Sequence, residues 1–514
     1  MDVKTNTTNE MSKSEATVWF WTITLAFAGL WLLLPSLLHT AYKGDTIELQ
    51  LIAKEWVWGT TKHPMLSAWM LEIANILTHR AFAAPFIVSA LCTVAMLFSI
   101  WLLARNVLSE KMALVATFVM LPYLPFTLKS FLYNPNTVLM TFWVLSTLAF
   151  YYAFQTNKKR WWIAAGLALG LGFHAKYTII LLAFAVLFYS VLFSRFRQYW
   201  QEVGPWLTVL VAFAVFAPHL IWMYQMDFST IRYAEDAMNK RPIVGGWADY
   251  LLCPIVFTLG NLGLLLISPI LLLVPSLGWR WKWRLPENET ERETLNYLLC
   301  CMAIPFLFLA VSAGIKEIVR TTYGFPLWFF LGVYLLLQFQ RQDFFIRSMQ
   351  WTALAVLPFV IVFVIGATVE PHVTKKPGHC HYPMYELGAE CERIWSNQFP
   401  DLPCPYVTGN WRVAGDAAHA MKDRPSVHFY YYDIGNPDAQ PTGTWSIDED
   451  VNQKGGIILW NASEQLPDWV HRRFPNAEVL PEILELPYKT SAKIPPLKLS
   501  IAIVPPPEAV ISHE

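Results

Sequence analysis

The sequence predicts a polytopic α-helical membrane protein with about eleven spans and a C-terminal external α/β domain. Of its 514 residues, 55% are hydrophobic and only 15% are charged, which is not the composition of an ordinary soluble protein. From Glu370 onward the chain becomes a mixed polar region rich in Pro, Asp and Asn. We therefore expect a membrane domain over residues 1–369, with an interfacial loop at 39–84, and a soluble domain over residues 370–514.

Apolar runs of about 17 to 25 residues are long enough to cross the hydrocarbon as helices. The predicted spans are residues 18–38, 85–104, 112–127, 137–154, 161–173, 177–193, 205–225, 250–274, 294–314, 323–339 and 351–367. The third and fifth are short, and Pro122 and Pro125 weaken the third. The first 17 residues are mostly polar and lack the pattern of a cleavable signal, so we expect the first span to be retained.

Basic residues in the short loops set the predicted orientation, because cytoplasmic loops carry an excess of Lys and Arg. They gather in alternate loops: Arg105 and Lys111; Lys158, Lys159 and Arg160; Arg195 and Arg197; Arg280, Lys282 and Arg284; Arg341 and Arg347. If those loops are cytoplasmic, the opposite loops and the tail are external. The external groups then include the Asp45 loop, the Lys176 turn and the segment from Lys316 to Arg320.

Charge and cysteine usage exclude several classes of protein. The formal net charge is zero, and no basic stripe interleaved with aromatic residues suggests nucleic-acid binding. Cys380, Cys391 and Cys404 lie in the tail, where an oxidising compartment would allow one disulfide and leave one thiol over. Since no tight Cys-x-x-Cys pair occurs, we expect no metal site there. We also expect no cofactor.

Short patterns in the tail predict its secondary structure. The apolar runs 427–431 and 456–460 are typical of strands, and the Ala-rich stretch 411–421 is typical of a helix. Together they indicate a small α/β domain.

The first external loop contains the most informative residues. Leu49, Ile52, Ala53 and Trp56 recur with helical spacing, which predicts an amphipathic helix over residues 46–57 lying in the membrane interface. Asp45 precedes it. One interpretation is a helix cap, because Asp45 with Glu48 forms a capping-box pattern. The other is a catalytic carboxylate.

The order of residues in this loop resembles a known family. Asp45 is followed by Trp58-Gly59, then by His63-Pro64, with Trp69 beyond. This resembles the first external loop of the bacterial branch of the dolichyl-phosphate-mannose protein mannosyltransferase family, glycosyltransferase family 39. Its C-type membrane glycosyltransferases include lipid A aminoarabinose transferases and enzymes that attach mannose or galacturonic acid. Where the family reads His-Pro-Pro-Leu, this chain has Met65 in place of the second proline.

Two further elements resemble the same family. Asn134-Pro135-Asn136 is similar to a Pro-Asp element that precedes a span, although Asn136 stands where the family has an acid. A Gly-rich span ending in Lys176-Tyr177-Thr178 is similar to the family's span ending in Lys-Tyr-Thr. The resemblance covers roughly the first 230 residues well and the remainder loosely.

The resemblance implies inverting transfer of a sugar from a polyprenyl-phosphate-linked donor to a hydroxyl or other acceptor on an envelope lipid, glycan or protein. Asp45 would be the general base. Lys176 would stabilise the leaving phosphate, although it could instead be a snorkelling interfacial lysine. Arg320 and Lys316 are further cationic candidates, and His63 and Lys62 could orient substrate, unless the His-Pro turn only shapes the loop. The implied location is the bacterial inner membrane, with the tail in the periplasm.

A transporter or flippase of lipid-linked sugars is the alternative. Transporters tend to carry polar groups at mid-membrane and to show related halves. Here the notable charges lie at one predicted interface, and the sequence shows no clear internal repeat. A structural membrane protein would explain the tail but not the Asp45 loop, so the sequence favours an enzyme.

Overall fold

The computed structural model describes residues 11–60, 62–233, 249–265, 284–316, 319–338, 345–429, 448–465 and 468–507. The chain divides into two compact units. The membrane unit comprises Met1–Leu33 and Phe86–Ile361, and the loop–tail unit comprises Leu34–Pro85 and Val362–Glu514.

Apolar helices make up most of the membrane unit, and the first and last of them continue into the loop–tail unit. Their bounds are α1 Lys13–Leu38, α4 Ala84–Ala104, α5 Glu110–Phe118, α6 Pro135–Thr156, α7 Lys159–Ala175, α8 Ile180–Leu192, α9 Ser194–Arg197, α10 Val203–Gln225, α11 Asp249–Leu265, α12 Glu289–Lys316, α13 Leu331–Gln338 and α14 Phe345–Thr368. Within the described residues, six of these are long and apolar enough to cross a membrane. A seventh is possible if the pair Tyr177–Leu192 and Arg195–Gln201, bent by 109°, forms one span. The chain is thus a multi-pass membrane protein, and the predicted count of about eleven spans is not confirmed.

Two of the predicted spans are not continuous helices. In the third, α5 ends at Phe118 and the chain continues through turns and a 3₁₀ helix at Leu124–Phe126. In the tenth, a 3₁₀ helix at Thr321–Trp328 precedes the short α13. Proline lacks an amide hydrogen and clashes with the preceding turn. Pro122 and Pro125 in the third, and Pro326 in the tenth, account for the breaks.

Close packing of α7 against α6 and α10 forms the centre of the membrane unit. Gly166 lies at the contact with α10, where an added Cβ would stand 2.7 Å from the carbonyl oxygen of Thr208 and 2.9 Å from Cβ of Val211. Only glycine allows this approach. The Gly-rich sequence therefore fixes the helix that ends at Lys176.

The loop–tail unit combines the first external loop with the tail. Its helices are α2 Gly44–Ala53, α3 Leu66–Leu77, α15 Glu370–Thr374, α16 Met384–Gln398, α17 Trp411–Ala420, α18 Asp448–Lys454 and α19 Asp468–Arg473. Its strands are β1 Tyr406–Gly409, β2 Ser426–Phe429, β3 Gly456–Asn461, β4 Glu478–Leu486 and β5 Leu497–Val504. They form one sheet in the order β2-β1-β3-β5-β4, parallel for β2-β1-β3 and antiparallel for β3-β5-β4.

The predicted tail elements at 411–421 and 456–460 are confirmed as α17 and β3. The predicted strand 427–431 corresponds to β2, while Tyr430 and Tyr431 lie outside the described residues. The tail therefore has the α/β character that the sequence predicts. Its external location stays a prediction.

A hydrophobic core joins α2 to the tail. Leu51 belongs to the same buried cluster as Val413 and Ala417 of α17 and Ile457 of β3. Leu49, Ile52 and Ala53 are also buried, which corrects the prediction that they lie in the membrane interface. Trp56, the fourth member of that pattern, is exposed, because α2 ends at Ala53.

This burial bears on the domain boundary. The sequence prediction kept residues 39–84 with the membrane domain, whereas the structure gathers residues 34–85 with the tail. The reason is the packing of Ile47 and Leu51 of α2 against α17. The assignment of residues 1–369 to a membrane domain and of residues 370–514 to a soluble domain stays a prediction.

Candidate functional site

Asp45 lies in the first turn of α2, and its side chain is exposed. The helix begins after Lys43, which accepts from the amides of Thr46 and Ile47 through its carbonyl oxygen, and no side chain caps the helix. The capping interpretation of Asp45 is therefore wrong. Across the described residues its carboxylate makes no hydrogen bond or ion pair. An acid in the first turn is favoured by the helix dipole, and this one is open to a reactant.

His63 and Pro64 form a tight turn in the same unit. Pro64 forms an antiparallel bridge with Gly59, and the Thr60 amide donates to the His63 carbonyl at 3.0 Å. The His63 amide in turn donates to Oγ1 of Thr60 at 3.1 Å. Trp69 supports the turn by donating from Nε1 to the Val57 carbonyl at 3.1 Å. The His-Pro sequence thus shapes the loop, while the imidazole of His63 stays partly exposed.

Lys62 reaches back to α2. Its Nζ lies 2.8 Å from Oε2 of Glu48, and both side chains are mostly buried. Glu48 stands one helical turn after Asp45, so the ion pair brings a positive charge to the helix that carries Asp45. This contact was not predicted from the sequence, which offered Glu48 only as part of a capping box.

Lys176 lies in the membrane unit, between the end of α7 and a 3₁₀ helix at Tyr177–Ile179. Its Nζ donates to Oδ1 of Asn136 at 2.8 Å and stands 5.0 Å from the centre of the Tyr323 ring. Asn134 caps α6 by accepting from the amides of Asn136 and Thr137 at 2.8 and 3.3 Å. Pro135 occupies the first turn, so the Asn-Pro-Asn sequence fixes the position of Asn136.

A shallow depression lies beside Asn136 and Tyr323, which contact this lysine, and its empty space of about 230 Å³ includes open solvent. Its lining residues are Asn136, Leu139, Met140, Thr178, Thr322, Tyr323, Phe325 and Pro326. An amide oxygen accepts from the ammonium and an aromatic ring lies beside it, and both of these partners are neutral. The arrangement therefore suits an anion that enters beside Asn136 and Tyr323.

The two other cationic candidates are in the same unit. Arg320 is exposed, and its carbonyl accepts from the Tyr323 amide at 2.9 Å at the start of the 3₁₀ helix. Lys316 is the last residue of α12. Arg320 is thus tied through the backbone to the residue whose ring contacts Lys176.

The sequence interpretation missed a hydrogen bond made by Tyr177, the residue that follows Lys176. The hydroxyl of Tyr177 lies 2.6 Å from Nε2 of His219, which is fully buried, and 3.3 Å from Oγ1 of Thr230. Tyr177 follows Lys176 directly, so the contact anchors this turn to α10. The signal in the sequence was the His in Pro218-His219, a polar residue inside an otherwise apolar helix.

Metal ligands are not gathered anywhere in the described part of the chain, where no group of three or more His, Cys, Asp or Glu residues is placed to hold an ion. Cys380, Cys391 and Cys404, all among the described residues, form no disulfide with one another. Cys391 and Cys404 are buried in the tail core, and burial raises the pKa of the Cys391 thiol to about 12.

Comparison with known proteins links the chain to one family. Residues 62–222 match the family described as dolichyl-phosphate-mannose-protein mannosyltransferase. An undecaprenyl phosphate-alpha-4-amino-4-deoxy-L-arabinose arabinosyl transferase of Pseudomonas fluorescens is 24% identical over 328 residues, covering 58% of this chain and 56% of the relative. A lipopolysaccharide core galacturonosyltransferase of Rhizobium johnstonii is 28% identical over 248 residues, covering 45% and 48%. The chain thus spans about half the length of the curated relatives it matches.

A solved structure shares the fold over nearly the whole chain. ArnT from Cupriavidus metallidurans, crystallised with undecaprenyl phosphate, aligns with a TM-score of 0.60 at 11% identity. The alignment covers 96% of this chain and 99% of that one. Lys62, His63 and Lys176 fall within the family match, whereas Asp45, Lys316 and Arg320 fall outside it.

Proposed function

We propose that this chain, which is related to the dolichyl-phosphate-mannose-protein mannosyltransferase family and its lipid A aminoarabinose transferase relatives, is a polyprenyl-phosphate-sugar-dependent glycosyltransferase. The observation that carries the proposal is the family match over residues 62–222, which includes Lys62, His63 and Lys176. Both curated relatives are named as transferases of a sugar or sugar derivative. The predicted resemblance is confirmed.

Asp45 is proposed as the general base. A hydroxyl is a poor nucleophile, and a positioned carboxylate that accepts its proton during attack contributes about 10² to 10⁴-fold. The acceptor oxygen bonds to the anomeric carbon as the bond from that carbon to the phosphate oxygen breaks. Attack from the opposite face inverts the anomeric centre and releases the polyprenyl phosphate. The exposed carboxylate of Asp45, free of any capping duty, supports this role.

Lys176 is proposed to bind the phosphate. Negative charge grows on the leaving phosphate in the transition state, and a fixed cation shielded from water stabilises it strongly. The geometry around Lys176 supports this assignment, because Asn136 and Tyr323 orient the ammonium and are themselves neutral. Arg320 and Lys316 are proposed as additional cations for the donor, and His63 and Lys62 as residues that orient substrate.

The proposed substrates follow from the relatives. The donor is a sugar on a polyprenyl phosphate, and the acceptor is an envelope glycolipid, glycan or protein. We place the protein in the bacterial inner membrane, with the tail in the periplasm and membrane lipids around the apolar helices. The chemistry assigned to Asp45 and Lys176 uses only these side chains and the substrates, with no cofactor.

A purified-protein assay separates the proposal from the transporter alternative. In detergent there is no membrane across which a flippase can move its lipid, but a transferase still releases polyprenyl phosphate and forms a glycosylated acceptor. Undecaprenyl-phosphate-linked aminoarabinose and galacturonic acid are suitable first donors, with lipid A as acceptor. Transfer that depends on Asp45 supports the proposal. If none of a panel of sugars is transferred in detergent, while donor translocation is measured in vesicles, the chain is a transporter.

Mass spectrometry of envelope glycolipids identifies the product in cells. A strain lacking the protein should lose one sugar modification, and the wild-type gene should restore it. The Asp45→Asn gene, expressed to the same level, should not. An unchanged glycolipid profile in the strain without the protein would count against an envelope acceptor of this class.

A further inference from the structure

Arg412 is a buried cation in α17, only 8% exposed, with contacts to two segments of the loop–tail unit. One guanidinium nitrogen, Nη2, donates to the carbonyl of Tyr42 and to the carbonyl of His379, both at 3.2 Å. The other, Nη1, donates to Nδ1 of His379. The guanidinium carbon also lies 4.6 Å from the centre of the Tyr382 ring. So many contacts are not expected of an arginine that serves only as a surface charge.

The two segments that Arg412 joins are also tied directly to each other. The Thr40 amide donates to the Cys380 carbonyl at 2.8 Å. Its hydroxyl donates to the carbonyls of Cys380 and Tyr382 at 2.9 and 3.0 Å. Residues 40–42 therefore run along residues 379–382. Arg412 adds a further link between the two segments, because it donates to the carbonyls of both Tyr42 and His379. Tyr42 stands three positions before Asp45.

No side chain caps α2 at Lys43. From the end of its first turn onward, α2 rests on α17, where an added Cβ at Gly415 would stand 3.3 Å from Cγ1 of Ile47 and 3.1 Å from Cδ1 of Leu51. Asp45 thus lies between this packing and the backbone at Tyr42, and both bear on its position.

Asp416 explains how a buried guanidinium is tolerated. It follows Arg412 by one turn, is 1% exposed, and its Oδ2 lies 3.8 Å from Nε of Arg412. Among the described residues neither carboxylate oxygen accepts a hydrogen bond. Burying a carboxyl group that accepts no hydrogen bond costs stability, so the presence of Asp416 here calls for a compensating role. Its carboxyl lies beside Nε of Arg412, whereas Tyr42 is bound by Nη2.

We propose that Arg412 is a positioning residue for Asp45, which holds the carbonyl of Tyr42 and thereby fixes the first turn of α2, and that Asp416 holds Arg412 in place. This inference rests on the proposed function, because Asp45 matters to turnover only if it is the base. It concerns the orientation of the carboxylate rather than the folding of the unit. A displacement of about 1 Å is enough to lower a rate by up to about 10²-fold.

Arg412→Lys is the main test, because lysine keeps the charge but lacks the planar fork that bridges Tyr42 and His379. We expect turnover, kcat, to fall about tenfold or more, with the donor KM within about twofold of wild type. Hydrogen exchange of the amides at residues 44–49 should quicken, while exchange in β3 should not change. The matched control is Arg393→Lys in α16, an exposed arginine whose ion pairs with Glu390 and Glu482 contribute little.

A double-mutant cycle separates positioning from general damage. If Arg412 acts through Asp45, Arg412→Lys should have little further effect on the residual rate of the Asp45→Asn protein. An equal loss in both backgrounds would overturn the inference, as would wild-type kcat and wild-type exchange in Arg412→Lys. If instead Asp45→Asn itself turns over normally, the proposed function fails, which is a different result. The exchange measurement still reports directly whether Arg412 fixes α2.

Discussion

The ammonium of Lys176 donates to the amide oxygen of Asn136 at 2.8 Å. The sequence resemblance placed an acid at position 136, and its replacement by a neutral amide changes the electrostatics of the lysine. A carboxylate there would form an ion pair with the lysine and compete with an incoming phosphate, whereas the neutral amide orients the lysine without adding a negative charge. The relationship predicts that changes on either side of the contact impair the use of the donor.

Replacing Lys176 by alanine should lower sugar transfer by about 10²-fold, because the cation that stabilises the leaving phosphate is lost. Lys176→Arg should recover part of the activity, since the charge remains but its geometry differs. Steady-state kinetics with a defined polyprenyl-phosphate sugar provides the measurement. Wild-type turnover in a folded Lys176→Ala protein would show that this lysine is only an interfacial anchor.

Asn136→Asp should weaken donor binding by introducing an ion pair that competes with the phosphate. We expect the donor KM to rise severalfold, more at low salt than at high salt, since screening weakens the new pair. Asn134→Asp is the matched control. It makes the same charge change at the same helix end, at the capping position where Asp serves as well as Asn. Equal effects of the two substitutions would show that general charge, not the contact with Lys176, is responsible.

Arg424 and Glu72 form a second pair, which we expect to be structural. Arg424 donates from Nη1 and Nη2 to the two carboxylate oxygens of Glu72 at 2.7 and 2.9 Å, and Glu72 is buried. Removing one partner leaves the other charge buried, at a cost of about 3 to 5 kcal/mol. Arg424→Met should therefore lower the unfolding temperature of the purified protein markedly. The exposed Arg393→Met should not, and equal shifts would contradict this interpretation.

Asp416 should make stability depend on pH. Burial raises the pKa of its carboxyl from the ordinary value of 3.8 to about 7. Between those values the folded protein keeps a proton that the unfolded chain has lost, so stability falls as pH rises, by about 1.4 kcal/mol per unit. Burial lowers the pKa of His39 to about 4 and of His419 to about 3, which has the opposite effect below pH 6.5.

Comparing wild type with Asp416→Asn isolates the carboxyl from the two histidines, which both proteins share. The unfolding temperature of wild type relative to the variant should decline as pH rises from about 4 to about 7, and should level off above about 8. Thermal unfolding of the purified proteins over that range measures it. A constant difference across the range would mean that Asp416 does not titrate there.

Local sequence signals predicted the tail and much of the membrane unit. The apolar run 456–460 and the Ala-rich run 411–421 became β3 and α17, because periodicity and apolar content act on neighbouring residues. Prolines produced the largest errors among the predicted spans. Pro122 and Pro125 lie within the third predicted span, residues 112–127, which was predicted as a helix from its apolar length alone. In the structure, α5 ends at Phe118, before both prolines.

The first external loop could be predicted only in part. Leu49, Ile52 and Ala53 are buried as one face of a helix, but Ile47 and Leu51 of the same helix pack against α17, which lies more than 350 residues later in the chain. No local pattern distinguishes a face that meets lipid from one that meets a distant helix. The same limit applies to Arg412, because its partners, Tyr42 and His379, are remote in the sequence.

The candidate site was found through motifs rather than contacts. Asp45, His63 and Lys176 follow from the family pattern, and the structure adds what holds two of them, the Gly59-Pro64 turn for His63 and Asn136 for Lys176. The capping alternative for Asp45 required the helix to begin two residues later than it does, at Thr46 instead of Gly44. A boundary of that accuracy is beyond sequence patterns.

Turnover of the Asp45→Asn protein is the most direct test of the central claim. Asparagine matches aspartate in size but cannot accept a proton, and the structure assigns Asp45 no hydrogen bond, ion pair or cap among the described residues that the substitution would disturb. We expect a folded protein that binds the polyprenyl-phosphate sugar normally and transfers it about 10²-fold more slowly or worse. Transfer at close to the wild-type rate by purified Asp45→Asn would contradict the account, because the hydroxyl would then lose its proton elsewhere.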